Sequence, residues 1–282
     1  MRILAGLLFL SGTAGAQGIV STAPSFTEVL FALGVGERVV AVSQYCHFPR
    51  EVDRLPRVGS YLQPNIEAIA RLRPELVLVH AEQKQAVAQL RALGLKVLIL
   101  RNTSLEDTFG SIRAIADAVG DGARGAKLEG ELRSRLAAVE KQAAGQPRRT
   151  LLFVVGRTPG RLEGMIAAGK GSFLNELIRI AGGRNVLADS PVAYPRISIE
   201  AVLRLDPDVI VDMGDMSVTS GVTPQHIRSV LNLWEAQSGL VRAAAKGNVH
   251  AVAADIFVVP GPRVVEAAEA FAKMMRAVRD HK

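Results

Sequence analysis

Apolar positions along the chain alternate between two rhythms. Short runs, "GIVST" at 18–22, "RVVAVS" at 38–43, "ELVLVH" at 75–80 and "KVLIL" at 96–100, read as buried strands. Between the first two, "PSFTEVLFALGVG" has helical spacing and closes on Gly34. Between the last two, Ala86, Val87, Leu90 and Leu93 share one helical face, and 104–119 reads as a further helix. Strand–helix alternation of this kind predicts a parallel sheet with right-handed crossovers. From Asp121 to Gly145 the rhythm changes: Leu128, Leu132, Leu136 and Val139 mark one long amphipathic helix, ended by "GQP". The alternation then restarts, with strand "TLLFVVG" at 150–156, helices "SFLNELIRIAGG" and "IEAVLRL", strands "DVIVDM" and "VHAV", and a last helix from about Val264.

The two halves repeat each other. "IEAIARLRPELVLV" from Ile66 and "IEAVLRLDPDVIVD" from Ile199 lie 133 positions apart. Asn65 and Ser198 stand at the same offset as N-caps, and Glu67 and Glu200 fall in the first turn, where the helix dipole favours a negative charge. Tyr61 and Tyr194 also correspond. The expected architecture is α/β: two similar Rossmann-like lobes with parallel sheets and separate cores, joined by one long interdomain helix. The expected boundaries are 17–120, a linking helix at 121–147, and 148–282. Equivalent loops then face each other across a cleft, a usual place for a ligand.

Composition narrows the function. With 34 Lys and Arg against 27 Asp and Glu the chain carries +7, but no basic run exceeds two residues and aromatics make up only 5%. That lacks the footprint of nucleic-acid binding. Residues 1–16 have the charge, apolar stretch and Ala14-Gly15-Ala16 end of a cleaved export signal, which predicts a periplasmic protein. Cys46 is the only cysteine, so no internal disulfide and no lipid-anchor cysteine at the cleavage point are expected.

The chain resembles the periplasmic substrate-binding proteins of ABC importers for cobalamin, haem and ferric siderophores. The resemblance rests on "IVSTAPSFTEVLFALGVGERVVAVS", "YCHFP", "LPRVGSYLQPNIEAIARLRPELVLV", "GKGSFLNELIRIAGGRNVLADS", "YPRISIEAVLRLDPDVIV" and "VVPGPRVVEAAEAFA", in that order. It implies two α/β lobes on a rigid helix, closing only slightly. "VSQYCHFPREV" followed by "VGSYLQPNIE" looks most like the cobalamin binders. There the positions matching Tyr45, Tyr61 and Tyr194 line the pocket, and Asp255 and Arg263 match its edge in the second lobe. The resemblance also implies that Glu67 and Glu200 each meet arginines on one half of a dimeric permease, with helix-end charge complementation as the plainer role.

The chain has three tyrosines, and all fall in predicted inter-lobe loops, where a flat face with a polar tip suits a large amide-fringed macrocycle. Arg157 follows a strand end and could meet a polar edge of the ligand, or be solvated. His47 and Cys46 flank Tyr45; with haem as ligand, Tyr45 or His47 is the axial candidate. No protein-bound metal, cofactor or catalytic group is expected, and the chain is expected to be a monomer. Trp234 reads as packing. "GMIAAGKGS" at 164–172 has Gly171 where a phosphate loop needs Ser or Thr, and "GVGERV" follows a helix, so neither reads as a nucleotide site. No Gly-x-Ser-x-Gly or HExxH motif supports an enzyme.

Overall fold

The computed structural model describes residues 18–215, 223–252 and 254–279; the expected leader at 1–16 lies outside them. The first half contains β1 (Ile19–Ser21), α1 (Pro24–Ala32), β2 (Val39–Val42), α2 (Ile66–Arg71), β3 (Leu76–His80), α3 (Lys84–Ala92), β4 (Val97–Leu100) and α4 (Leu105–Val119). Its four strands are all parallel, in the order β2-β1-β3-β4. Helix α4 starts in a capping box, with Ser104 and Asp107 each satisfying the other's backbone N–H, and stops at Gly120 with φ 88°.

Helix α5 (Gly122–Ala143) is the long helix expected, capped by the Asp121 side chain. Leu132, Leu136 and Val139 are buried along one stripe. Gly125 lets α5 approach α4: a Cβ there would fall 2.4 Å from that of Ala116.

The second half contains β5 (Thr150–Gly156), β6 (Met165–Ala167), α6 (Phe173–Ile180), β7 (Arg184–Asn185), β8 (Arg196–Ile197), α7 (Ile199–Leu205), β9 (Val209–Asp212), α8 (Pro224–Glu235), α9 (Arg242–Ala245), β10 (Val249–Ala251) and α10 (Val264–Arg276). Its sheet runs β10-β9-β5-β6-β8, with β7 also on β5. The pairs β10/β9, β9/β5 and β5/β7 are parallel, as expected, but β6 and β8 add antiparallel pairings. These strands are three and two residues long, too short to show a periodicity of their own.

The expectation of separate cores needs correction. Each sheet does have a private outer cluster, built on Val77, Val79 and Leu90 in the first half and on Leu152, Val154 and Trp234 in the second. The inner faces, however, share one continuous core running from Phe26, Leu30 and Leu78 through Phe109, Ile112 and Leu136 to Phe153, Leu177 and Phe271. Strand alternation makes this split: Leu76 and Leu78 on β3 point inward while Val77 and Val79 point outward, and Phe153 on β5 points inward between outward Leu152 and Val154. Helices α4, α5, α6 and α10 therefore form a middle layer belonging to both halves.

The internal repeat extends to the backbone. Arg73 and Asp206, 133 positions apart and each before a proline, are the two non-glycine residues with positive φ among those described, at 46° and 40°. The caps differ, however. Asn65 accepts from the Ala68 N–H at 2.9 Å, whereas Ser198 makes no side-chain cap bond and its hydroxyl bonds Glu200 instead. Left-handed geometry costs an ordinary residue about 1 kcal/mol. Arg73→Gly is therefore expected to raise unfolding free energy by roughly 0.5–1 kcal/mol, measured by urea titration.

Candidate functional site

A cleft of ≈ 940 Å³ opens where the first sheet's strands end. Each of its four parallel strands supplies a loop to the wall: Ala23 to Ser25 after β1, Gln44, Tyr45 and His47 after β2, Glu82 after β3, and Asn102 and Thr103 after β4. This is the edge at which open α/β sheets place ligands. The second half adds Phe173, Tyr194, Asp255 and the segment 258–260. Two hydrogen bonds join the halves beside the cleft: Phe173 N–H donates to Thr103 C=O at 2.9 Å, and the Glu176 carboxylate accepts from the Leu105 N–H at 3.0 Å. Glu176 thus helps cap α4 from across the cleft.

All three tyrosines line this one cavity. Tyr45 is half-exposed. Tyr61 stands edge-on to His80, with ring centroids 5.5 Å apart. Tyr194 is 38% exposed, but only within a crowded cleft. Desolvation there, with Tyr61 adding to it, pushes the Tyr194 phenol up to about 12. Desolvation, then the nearby Glu82 charge, also raises Tyr61. Both phenols are therefore neutral donors at ordinary pH.

His80, which sequence reasoning passed over, anchors the floor. It is buried at the end of β3. Its Nδ1 accepts from the Glu82 N–H at 3.2 Å, which leaves the proton on Nε2 to donate to Asn102 Oδ1 at 2.7 Å. Asn102 in turn donates to Ser25 Oγ at 2.9 Å. Both ring nitrogens are engaged, so this imidazole is a wall and not a metal ligand. Its place at the end of the strand read at 75–80 was the signal that could have found it.

The charge of the wall is one-sided. Among the described residues, those lining the cleft include the carboxylates Glu82 and Asp255 but no Lys or Arg. Arg263, expected at the pocket's edge, lies behind Asp255, bonding both its oxygens at 2.9 Å. Arg157, expected at the cleft, is instead buried against Asp212, with Nε to Oδ2 at 2.9 Å. Trp234 Nε1 donates to the same oxygen at 2.7 Å, and the Gly214 N–H to the other at 2.6 Å. Arg157 is thus neither solvated nor a cleft residue: a buried guanidinium needs a buried partner, and β9 provides one.

The neighbours of Tyr45 also part ways. His47 lines the cleft, but the Cys46 thiol turns into the core against Thr27 and Ser43, where burial raises its pKa. Among the described residues no group of three or more His, Cys, Asp or Glu could hold a metal ion. Within 164–172, Gly169 has a packing role, since a Cβ there would fall 2.4 Å from Val192 O, Gly171 takes positive φ (84°), and Ser172 caps α6 by accepting from the Asn175 N–H. Glu67 and Glu200 lie outside the cleft, exposed in the first turns of α2 and α7. Glu67 pairs with the exposed Arg71, and Ser198 holds the Glu200 carboxyl below its usual range.

Residues 19–253 match the family model described as periplasmic binding protein. The vitamin B12-binding protein of Vibrio cholerae serotype O1 is 31% identical over 257 residues, covering 90% of this chain and 87% of that one. An uncharacterized ABC transporter substrate-binding lipoprotein, YvrC of Bacillus subtilis, is 28% identical over 263 residues, covering 90% and 78%. Among solved structures, the periplasmic vitamin B12 binding protein BtuF of Vibrio cholerae superposes with a TM-score of 0.78 at 28% identity, over 94% of this chain and 98% of that one. The periplasmic heme-binding protein RhuT from Roseiflexus sp. RS-1, in apo form, gives 0.77 at 27%, over 93% and 100%.

Fold and cleft define a two-sheet α/β carrier. The chain belongs to the periplasmic binding protein family. That membership agrees with a carrier and not an enzyme. Among the described residues no helix is long and apolar enough to cross a membrane.

Proposed function

We propose that this protein captures a cobalamin-type corrinoid in the cleft and hands it to the membrane permease of an ABC importer. The observation that carries the choice of ligand is the wall itself: three tyrosines, two carboxylates and, among the described residues, no Lys or Arg. Tyrosine rings suit the faces of a flat macrocycle. Carboxylates suit a rim of amide N–H donors and repel the propionates of haem. Titration with cyanocobalamin and with haemin tests this directly. Tight haemin binding without any corrinoid binding would replace it with the haem reading, in which Tyr45 or His47 ligates the iron.

In this reading the lobes are 17–120 and 148–282, joined through 121–147, and the protein acts as a monomer exported by a leader cleaved after Ala16. Glu67 and Glu200 dock on the permease. Their support is the repeat: two similar first-turn glutamates on similar lobes match a two-fold partner. Glu67→Ala/Glu200→Ala is expected to lower corrinoid uptake by cells at least about tenfold, as loss of exposed interface charges slows encounter, while Kd stays within about twofold. Unchanged uptake would reduce both residues to helix-end charges.

A further inference from the structure

Arg263 begins α10, and its guanidinium reaches three pieces of the cleft's surroundings at once. Nε and Nη2 bond the Glu28 carboxylate on α1, at 3.1 and 2.5 Å. Nη1 and Nη2 bond Asp255, both at 2.9 Å. Cζ lies 3.9 Å from the centre of the Phe48 ring. Glu28 and Phe48 belong to the first half of the chain, Asp255 to the second. Arg263 does not line the cleft, but Asp255 does, as do Tyr45 and His47 just before Phe48. The backbone approach is tight here: a Cβ on Gly261 would fall 3.1 Å from Glu28 Oε2. Arginine's planar fork can grip two carboxylates while its face stacks on a ring; lysine's point charge cannot.

We infer that Arg263 is a positioning residue: without touching the ligand, it holds Asp255 and the Tyr45–His47 segment in one register across the two halves, and so sets how firmly the cleft retains its ligand. The inference rests on reading this cleft as the ligand site. Glu28 faces Arg263, Asp255 and Glu266. Burial pushes its carboxyl up to about 7, and Arg263 offsets part of that rise. For Arg263, burial works against its charge, but the bonds to Glu28 and Asp255 outweigh it. Two carboxylates thus depend on one cation, and the same cation steadies the segment carrying two wall residues.

The decisive variants keep or remove charge in balance. Arg263→Lys retains the charge without the fork. It is expected to release cyanocobalamin about tenfold faster and to speed amide hydrogen exchange across 44–48 in ligand-free protein. Glu28→Gln/Arg263→Met removes the cation together with its more buried partner and leaves only the part-exposed Asp255, at the cleft wall, without a counter-charge. It should melt near the wild type yet show the same faster release and exchange. Phe48→Leu leaves the carboxylates alone and should reproduce part of the effect, adding little on top of Arg263→Lys, because both act through one contact. Wild-type release and wild-type exchange in folded Arg263→Lys protein would overturn the inference and leave Arg263 a mere counter-charge. Exchange needs no ligand, so a wild-type protein that fails to bind cyanocobalamin sinks the corrinoid reading while exchange still decides the clamp.

Discussion

Replacing Tyr61 and Tyr194 together by alanine is expected to weaken cyanocobalamin binding by roughly thirtyfold to 25,000-fold, at about 1–3 kcal/mol per ring. The two phenols occupy the same offset in the two halves of the internal repeat, and both line the cleft. On the proposed reading each ring would bury a large apolar face against a flat ligand, and truncation would leave a void where that face was. Tyr61→Phe and Tyr194→Phe keep the face and lose only the hydroxyl, so each should stay within about tenfold of the wild type, the worth of one ordinary hydrogen bond. Calorimetric titration of the four proteins separates the contributions. If the double alanine variant bound cyanocobalamin as tightly as the wild type, the rings would be packing residues and the ligand would lie elsewhere.

The largest effect on stability is expected at Asp212. Its carboxylate is wholly buried and accepts from Arg157, Trp234 and the Gly214 N–H. Asp212→Ala strands the Arg157 guanidinium, which is itself buried, and leaves the indole N–H without its acceptor. The cost should be about 3–5 kcal/mol, the usual consequence of breaking a buried ion pair from one side. Arg157→Met/Asp212→Asn removes both charges, keeps an acceptor for Trp234, and should recover most of that loss. Urea denaturation reads both values. Neither variant should change ligand affinity by more than about twofold once folded, because the pair lies off the cleft and distant sites act independently. A large affinity loss in the folded double variant would return Arg157 to the binding site.

These results bear on how the halves move. A shared inner core, the Glu176 cap on α4, and the Arg263 clamp all cross between the halves. Opening the cleft widely would expose apolar surface and break a buried ion pair at once.

The residues of the site divide by how local their determinants are. Tyr45, Tyr61 and Tyr194 sit in loops whose place follows from the order of strands and helices, His47 stands two residues after Tyr45, Asp255 was reached only through the family resemblance, and all five line the cleft. His80, at a strand end, was within reach of the same reasoning. The two arginines were not. Arg157 finds Asp212 55 positions away, and Arg263 finds Glu28 235 positions away. No local pattern encodes those partners.

The sequence by itself determined the repeat, the loops that meet at the cleft and most of the elements, α8 and α9 excepted. Periodicity, caps and punctuating glycines act over a few residues and can be read in place. Only the tertiary structure decided that the inner faces merge into one core, that two short strands fold back antiparallel, and that one arginine is buried off the cleft while another braces its wall. Those outcomes depend on which distant surfaces and charges are brought together, and desolvation makes a buried charge's partner the deciding factor.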